Sequence, residues 1–206
     1  MRIAIYGAGS LGTILGAFIS KAGVSIELIN RNKAHVAALK SKGAQVVGTM
    51  QFTQPVVAYT PDEMNGTYDI LFLMTKQQHN HEVVQMLQNF LAPDGVLVTF
   101  QNGLPEMQIA EVLGEERVLG STVAWGATLQ SPGVCELTSE PDALSFSLGA
   151  ISEKRSKHFT KVKELLELMG TVDVEENFLG TRWSKLLINA SFSGTGASKR
   201  LEPRIS

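Results

Sequence analysis

The opening residues, MRIAIYGAGSLG, constrain this chain more than any other stretch. Arg2–Tyr6 is a short apolar run of strand-favouring residues. It leads straight into Gly7, Gly9 and Gly12, and a helical pattern continues over Thr13–Lys21. Strand, tight glycine turn and helix in immediate succession is the context in which a glycine pattern reads as a dinucleotide-binding unit rather than as a helix cap. Gly7 permits the turn, Gly9 lets backbone approach a pyrophosphate, and Gly12 lets helix pack on strand. The amides around Ser10 and Leu11 then open a helix N-terminus, where unpaired N–H groups and the helix dipole attract phosphate.

Beyond this unit the chain alternates strands with helices, the signature of an α/β, Rossmann-type, doubly wound and mostly parallel sheet. Strands are expected at Ser25–Ile29, Asp69–Met74, Val96–Phe100 and Leu144–Leu148. Helices are expected at Lys33–Ser41, Gln78–Leu91, Glu106–Leu113 and Glu153–Met169. Ala44–Ala58 reads as an irregular crossover or two short strands. Val118–Trp125 and Val134–Thr138, on either side of Ser131-Pro132-Gly133, read as antiparallel neighbours. The texture changes after Val174. We expect residues 1–175 to form the nucleotide-binding domain and 176–206 to begin a second, helical one, with a helix at Thr181–Phe192 whose apolar residues point to more than one side.

Composition narrows the class. With 44% hydrophobic and 18% charged residues over 206 positions, the chain can build a substantial core. A net charge of −2 gives no support to nucleic-acid or membrane-surface binding. No uncharged apolar run approaches the roughly 18 residues of a membrane span. The single cysteine, Cys135, excludes an intrachain disulfide and reads as a small apolar filler. No signal-like segment precedes the first strand. A cytoplasmic location is the expectation. His35, His79, His81 and His158 show no ligand spacing, so no metal is expected.

In a doubly wound sheet, ligands lie beyond the carboxyl ends of the strands. About 20 residues past the glycines, where a carboxylate would contact an adenosine ribose, stand Asn30 and Arg31. A guanidinium pairs with a 2′-phosphate that a carboxylate would repel, which favours NADP(H) over NAD. Glu27, inside the second strand, reads as a structural side chain. Lys76, after the fourth strand, suits a cofactor phosphate or a substrate carboxylate, and a solvated lysine equally. Asn102-Gly103, after the fifth, suits a turn or an amide against the nicotinamide ribose. Lys185, Asn189 and Ser193 are spaced by four and share one helical face. A shielded lysine there can donate a proton near neutrality, whereas an exposed one is an ordinary surface cation.

Taken together, these marks resemble the ketopantoate reductase (2-dehydropantoate 2-reductase) family: GAGSLG at 7–12, Asn30-Arg31, MTK at 74–76, QNG at 101–103, WGATLQSPGVCEL at 125–137 and WSKLLIN at 183–189. The resemblance implies NADPH-dependent reduction of a 2-oxo acid, ketopantoate to pantoate, in pantothenate and coenzyme A synthesis. It implies that Lys185 protonates the developing alkoxide, that Asn102 positions nicotinamide and substrate, and that Asn189 binds substrate. Arg31 would hold the 2′-phosphate and Lys76 would lie on the cofactor side. Two departures stand out. The family's second asparagine is here Ser193, which bears on substrate identity. Family members are also longer, with an all-helical C-terminal domain that supplies a further serine and an acidic residue. The expectation is a C-terminally truncated member, and the alternative is an NADP(H)-binding relative with little or no turnover. A homodimer formed through the helix at 181–192 is a further expectation.

Overall fold

The computed structural model describes residues 1–184, 186 and 187. The opening unit folds as its residues dictate: β1 (Ile3–Tyr6), the glycine turn, then α1 (Ser10–Lys21). Next come β2 (Glu27–Ile29) and α2 (Lys33–Lys42). Asn32 caps α2 by accepting the His35 N–H at 3.1 Å. Gly43, at φ +76°, ends it in a conformation other residues avoid. The region read as an irregular crossover or two short strands is three strands, β3 (Ala44–Gly48), β4 (Phe52–Gln54) and β5 (Val57–Tyr59).

The remaining elements are β6 (Tyr68–Leu73), α3 (Asn80–Gln88), β7 (Leu91–Thr99), α4 (Pro105–Leu113), β8 (Val118–Val123), β9 (Ala127–Ser131), β10 (Val134–Leu137), β11 (Ser145–Ala150), α5 (Phe159–Glu167) and β12 (Thr171–Glu175). Eight strands form the main sheet in the order β12-β11-β8-β7-β6-β1-β2-β5. From β5 to β8 every pairing is parallel, and β11 joins β8 antiparallel. The order reverses between β1 and β6, which creates the crevice where doubly wound sheets bind ligands. The fold class is the expected mostly parallel α/β sheet.

A second sheet, β4-β3-β10-β9, lies over α1, which it touches through all four of its strands. That explains why α1 is buried nearly all round, from Gly12 to Ala17 and at Ile19. One apolar cluster joins α1 and α5 to one face of the main sheet, through Ile5, Ile14, Phe72, Phe146 and Leu165. The other joins α3 and α4 to the opposite face, through Tyr6, Leu71, Val84 and Ile109.

The structure corrects several sequence expectations. Val118–Val123 does not pair with Val134–Leu137. It sits in the main sheet between β7 and β11, and the hairpin partner across Ser131-Pro132-Gly133 is Ala127–Ser131. The helix expected over Glu153–Met169 spans only Phe159–Glu167. Ser156 diverts the backbone just before it, accepting the His158 N–H on Oγ at 3.2 Å and the Phe159 N–H on its carbonyl at 3.0 Å. The strand expected from Val96 begins instead at Leu91, with Pro93-Asp94-Gly95 inside it in an irregularity between the Leu91–Tyr68 and Val96–Ile70 pairs. Among the described residues no helix is long and apolar enough to cross a membrane.

Candidate functional site

The glycine turn is fixed by its own backbone. The Gly7 and Ala8 N–H groups both donate to the Ile29 carbonyl, at 2.9 and 3.0 Å, so the turn is tied to the end of β2. Gly7 sits at φ +95°, and a Cβ there would lie 2.7 Å from Thr75 N and 2.8 Å from the Met74 carbonyl carbon. A Cβ on Gly12 would lie 2.9 Å from Ile5 Cγ2 and 3.0 Å from the Gly7 carbonyl. These two positions require glycine because backbone and neighbour leave no room. Gly9 differs. A Cβ there would meet only the Gly7 carbonyl, at 3.9 Å, and would otherwise project into open cleft.

Thr13 is the first α1 amide with a helical acceptor, the Gly9 carbonyl at 2.9 Å. The amides before it, on Ser10, Leu11 and Gly12, stand at the exposed end of the helix dipole. No side chain caps Gly9 and the first turn carries no acid, so nothing in the turn competes with an anion. These features fit a pyrophosphate.

Two clefts flank the turn and share Met74, Thr75 and Lys76. One, of about 250 Å³, is lined by Tyr6, Gly7, Gly9, Asn30, Arg31 and His79 among others. The second, of about 380 Å³, is lined by Leu11, Gln77, Phe100, Gln101 and Asn102. Arg31, Lys76 and Asn102 stand at the cleft rims, and the sheet brings all three together at the carboxyl ends of β2, β6 and β7.

Asn30 lines the first cleft, but its side chain is committed elsewhere: Nδ2 donates to the Ala8 carbonyl at 2.8 Å and Oδ1 accepts from Asn32 N–H at 2.8 Å. It shapes the turn from below. Glu27 lies at the opposite end of β2, accepting from Arg2 Nη2 at 2.8 Å and from the Tyr68 hydroxyl at 2.6 Å. Its structural reading holds. Cys135 is buried, and burial pushes its thiol up to about 11, as befits a filler. Lys185, Asn189 and Ser193 lie outside the described residues.

Three further groups brace the site through partners distant in sequence. His35 is buried between α1 and the small sheet, where its Nδ1 accepts the Gly133 N–H at 3.0 Å and its Nε2 lies 3.1 Å from Thr13 Oγ1. Thr13 in turn donates to the Ala8 carbonyl at 3.1 Å, so a relay of three bonds ends in the glycine turn. Burial holds the His35 imidazole below its ordinary pKa. Gln101 reaches Asn80 Oδ1 at 2.9 Å and Thr75 Oγ1 at 3.2 Å, which ties the end of β7 to the end of β6. Arg182 and Glu106, both fully buried, form an ion pair beside Gln101, whose carbonyl Arg182 also holds. Burial pushes the Glu106 carboxyl up and the guanidinium pulls it back. A helical histidine beside Asn32 and an acid in the first turn of α4 were visible in the sequence. Their partners, 98 and 76 residues away, were not.

Comparison with known proteins points the same way. The family description for ketopantoate reductase, PanE/ApbA, matches residues 3–150. The 2-dehydropantoate 2-reductase of Pyrococcus horikoshii is 28% identical over 199 residues, which cover 96% of this chain and 64% of that protein. Its counterpart in Streptococcus pyogenes serotype M1 is 26% identical over the same share of each chain. This chain therefore spans a little under two thirds of the length of the relatives it matches. Among solved structures, 2-dehydropantoate 2-reductase from Geobacter metallireducens superposes with a TM-score of 0.81 at 25% identity, covering 92% of this chain and 62% of that one. D-mandelate dehydrogenase with NADH and anilino(oxo)acetate superposes with a TM-score of 0.81 at 22% identity, covering 92% and 61%, and shares the fold. With residues 3–150 of its 206 matching that family description, the chain belongs to the ketopantoate reductase family.

Proposed function

We propose that this chain binds NADP(H) across the two clefts and serves the reduction of a 2-oxo acid, 2-dehydropantoate (ketopantoate), to pantoate in cytoplasmic pantothenate synthesis. The observation that carries the reading is the juxtaposition at the β1/β6 crevice. A glycine turn open to phosphate lies between an arginine-rimmed cleft and an asparagine-rimmed one. The amides of Ser10, Leu11 and Gly12 would take the pyrophosphate, Arg31 the 2′-phosphate, and Lys76 a charged group between the clefts. Asn102 would orient the nicotinamide end. The bound cofactor supplies the hydride. Lys185 would hold the proton for the developing alkoxide, and Asn189 and Ser193 would bind the 2-oxo acid.

In this reading residues 1–175 form the nucleotide domain and 176–206 open the helical substrate domain. Trp183, 54% exposed in the helical run at 178–184, supports pairing of this segment between two copies. A second reading is an NADP(H)-binding relative with little turnover. It is favoured by the division of the site: the clefts are built wholly within residues 1–102, whereas the proton donor and substrate ligands are drawn from 185–193. Loss of NADPH absorbance with ketopantoate separates the two. The reductase reading expects turnover, with Lys185→Ala lowering kcat by about 100-fold or more, as for a lost general acid. Cofactor binding without consumption would leave only the second reading, and an unchanged rate in Lys185→Ala would remove Lys185 from its role.

A further inference from the structure

The guanidinium of Arg182 is spent entirely inside the protein. Its Nε donates to Glu106 Oε1 at 2.9 Å and its Nη2 donates to the same oxygen. Nη1 donates to the Gln101 carbonyl at 2.8 Å, and Nη2 also reaches the carbonyls of Ser121 at 3.2 Å and Thr99 at 3.4 Å. One side chain from the helical run at 178–184 thus fastens β7, β8 and α4 together at Gln101, the residue before Asn102.

The same helical run is seated by Phe178. A Cβ on Gly120 or Gly149 would lie 2.0 or 2.4 Å from that side chain, so two glycines in adjacent strands form its slot. The Arg182 guanidinium lies 5.1 Å from the Phe178 ring centre. Phe178 in this slot is itself a docking contact for the helical run. A buried ion pair adds little stability over an apolar replacement, and here Glu106 Oε2 has no hydrogen-bond partner among the described residues. What a planar fork with fixed donors adds is direction. Gln101 is consequently held on both sides: its carbonyl by Arg182, its side chain by Thr75 and Asn80.

We propose that Arg182 and Glu106 are positioning residues that set the Gln101–Asn102 backbone and the helix leading to Lys185 in one fixed relation, and so hold the nicotinamide end of the dinucleotide site. The inference rests on the NADP(H) reading above. It concerns only one half of the ligand, because Gln101, whose carbonyl Arg182 holds, and Asn102 line the second cleft and not the adenosine-side one with Arg31 on its rim.

That asymmetry provides the test. The dissociation constants of NADPH and of 2′,5′-ADP, which carries the adenosine half alone, are measured by calorimetry on the full chain and on Arg182→Met, Arg182→Lys and Glu106→Gln. The expected result is about tenfold weaker NADPH in Arg182→Met, the loss of roughly one well-placed hydrogen bond, with 2′,5′-ADP unchanged. Arg182→Lys, which keeps the charge without the fork, should fall between. Should Arg182→Met not fold, Glu106→Gln preserves side-chain volume and carries the same expectation. Equal weakening of both ligands would mean general loosening and would overturn the proposal, as would an unchanged ratio in folded variants. A parent chain that binds neither ligand would instead overturn the dinucleotide reading, and this inference with it.

Discussion

Replacing Gly7 by alanine tests the glycine turn at the point where the structure leaves least freedom. The residue sits at φ +95°, a region that costs an L side chain about 1–2 kcal/mol. The new Cβ would also lie 2.7 Å from the Thr75 amide nitrogen and 2.8 Å from the Met74 carbonyl carbon, both main-chain atoms at the end of β6. No rotamer relieves such a contact. Reaching an ordinary 3.4 Å requires a retreat of about 0.7 Å by the turn, an overpacking penalty of about 1–3 kcal/mol. The sum, about 2–5 kcal/mol, corresponds to a fall in Tm of roughly 4–20 °C for a domain of this size. Because the retreat carries the Ser10 and Leu11 amides with it, NADPH affinity should drop by more than about tenfold as well. Gly23→Ala is the control. It has φ +84° but nothing within 4 Å of its Cβ, so it should lose only the conformational part and leave NADPH binding intact. Thermal unfolding with and without NADPH reads both quantities. A Gly7→Ala chain matching the parent in Tm and affinity would refute the reasoning.

The charged and titrating groups give two further expected outcomes. Arg31→Ala should weaken NADPH by about 10- to 100-fold, the worth of hydrogen bonds to an ionised group, while NADH changes little; equal losses for both nucleotides in parallel titrations would remove Arg31 from the 2′-phosphate. His35 gives a pH dependence. Burial lowers its pKa below the ordinary 6.5, so the unfolded chain takes up the proton first. Its contribution is therefore present above about pH 6.5 and lost as pH falls toward the depressed native value. In His35→Gln the decline in Tm between pH 7 and pH 5 should be shallower than in the parent, and an unchanged slope would contradict the relay.

Much of the fold was legible because its signals are local. The glycine turn, the continuous apolar run of β6 and the Gly43 stop each declare themselves within a few residues. The small sheet was harder to read. Four of the five residues of β9 are exposed and only Leu129 is strongly apolar, so no hydrophobic alternation marks it. The apolar Val118–Val123 therefore looked like the nearer partner of β10, although its burial belongs to the main sheet. The site divides in the same way. Arg31, Lys76 and Asn102 were readable from their place after strands. Asn30 was read at the end of the second strand, on the cofactor side; the engagement of its amide with Ala8 and Asn32 depends on how β2 meets the glycine turn. Arg182, Glu106 and His35 act through partners distant in sequence, and no periodicity encodes such a pair.

Dinucleotide binding itself is tested most directly by an equilibrium titration of the full chain with NADPH and NADH. The expected result is saturable binding of NADPH, tighter than NADH, because open amides at the turn meet pyrophosphate and Arg31 stands where a 2′-phosphate would lie. Absence of binding for both nucleotides up to millimolar concentration would contradict it.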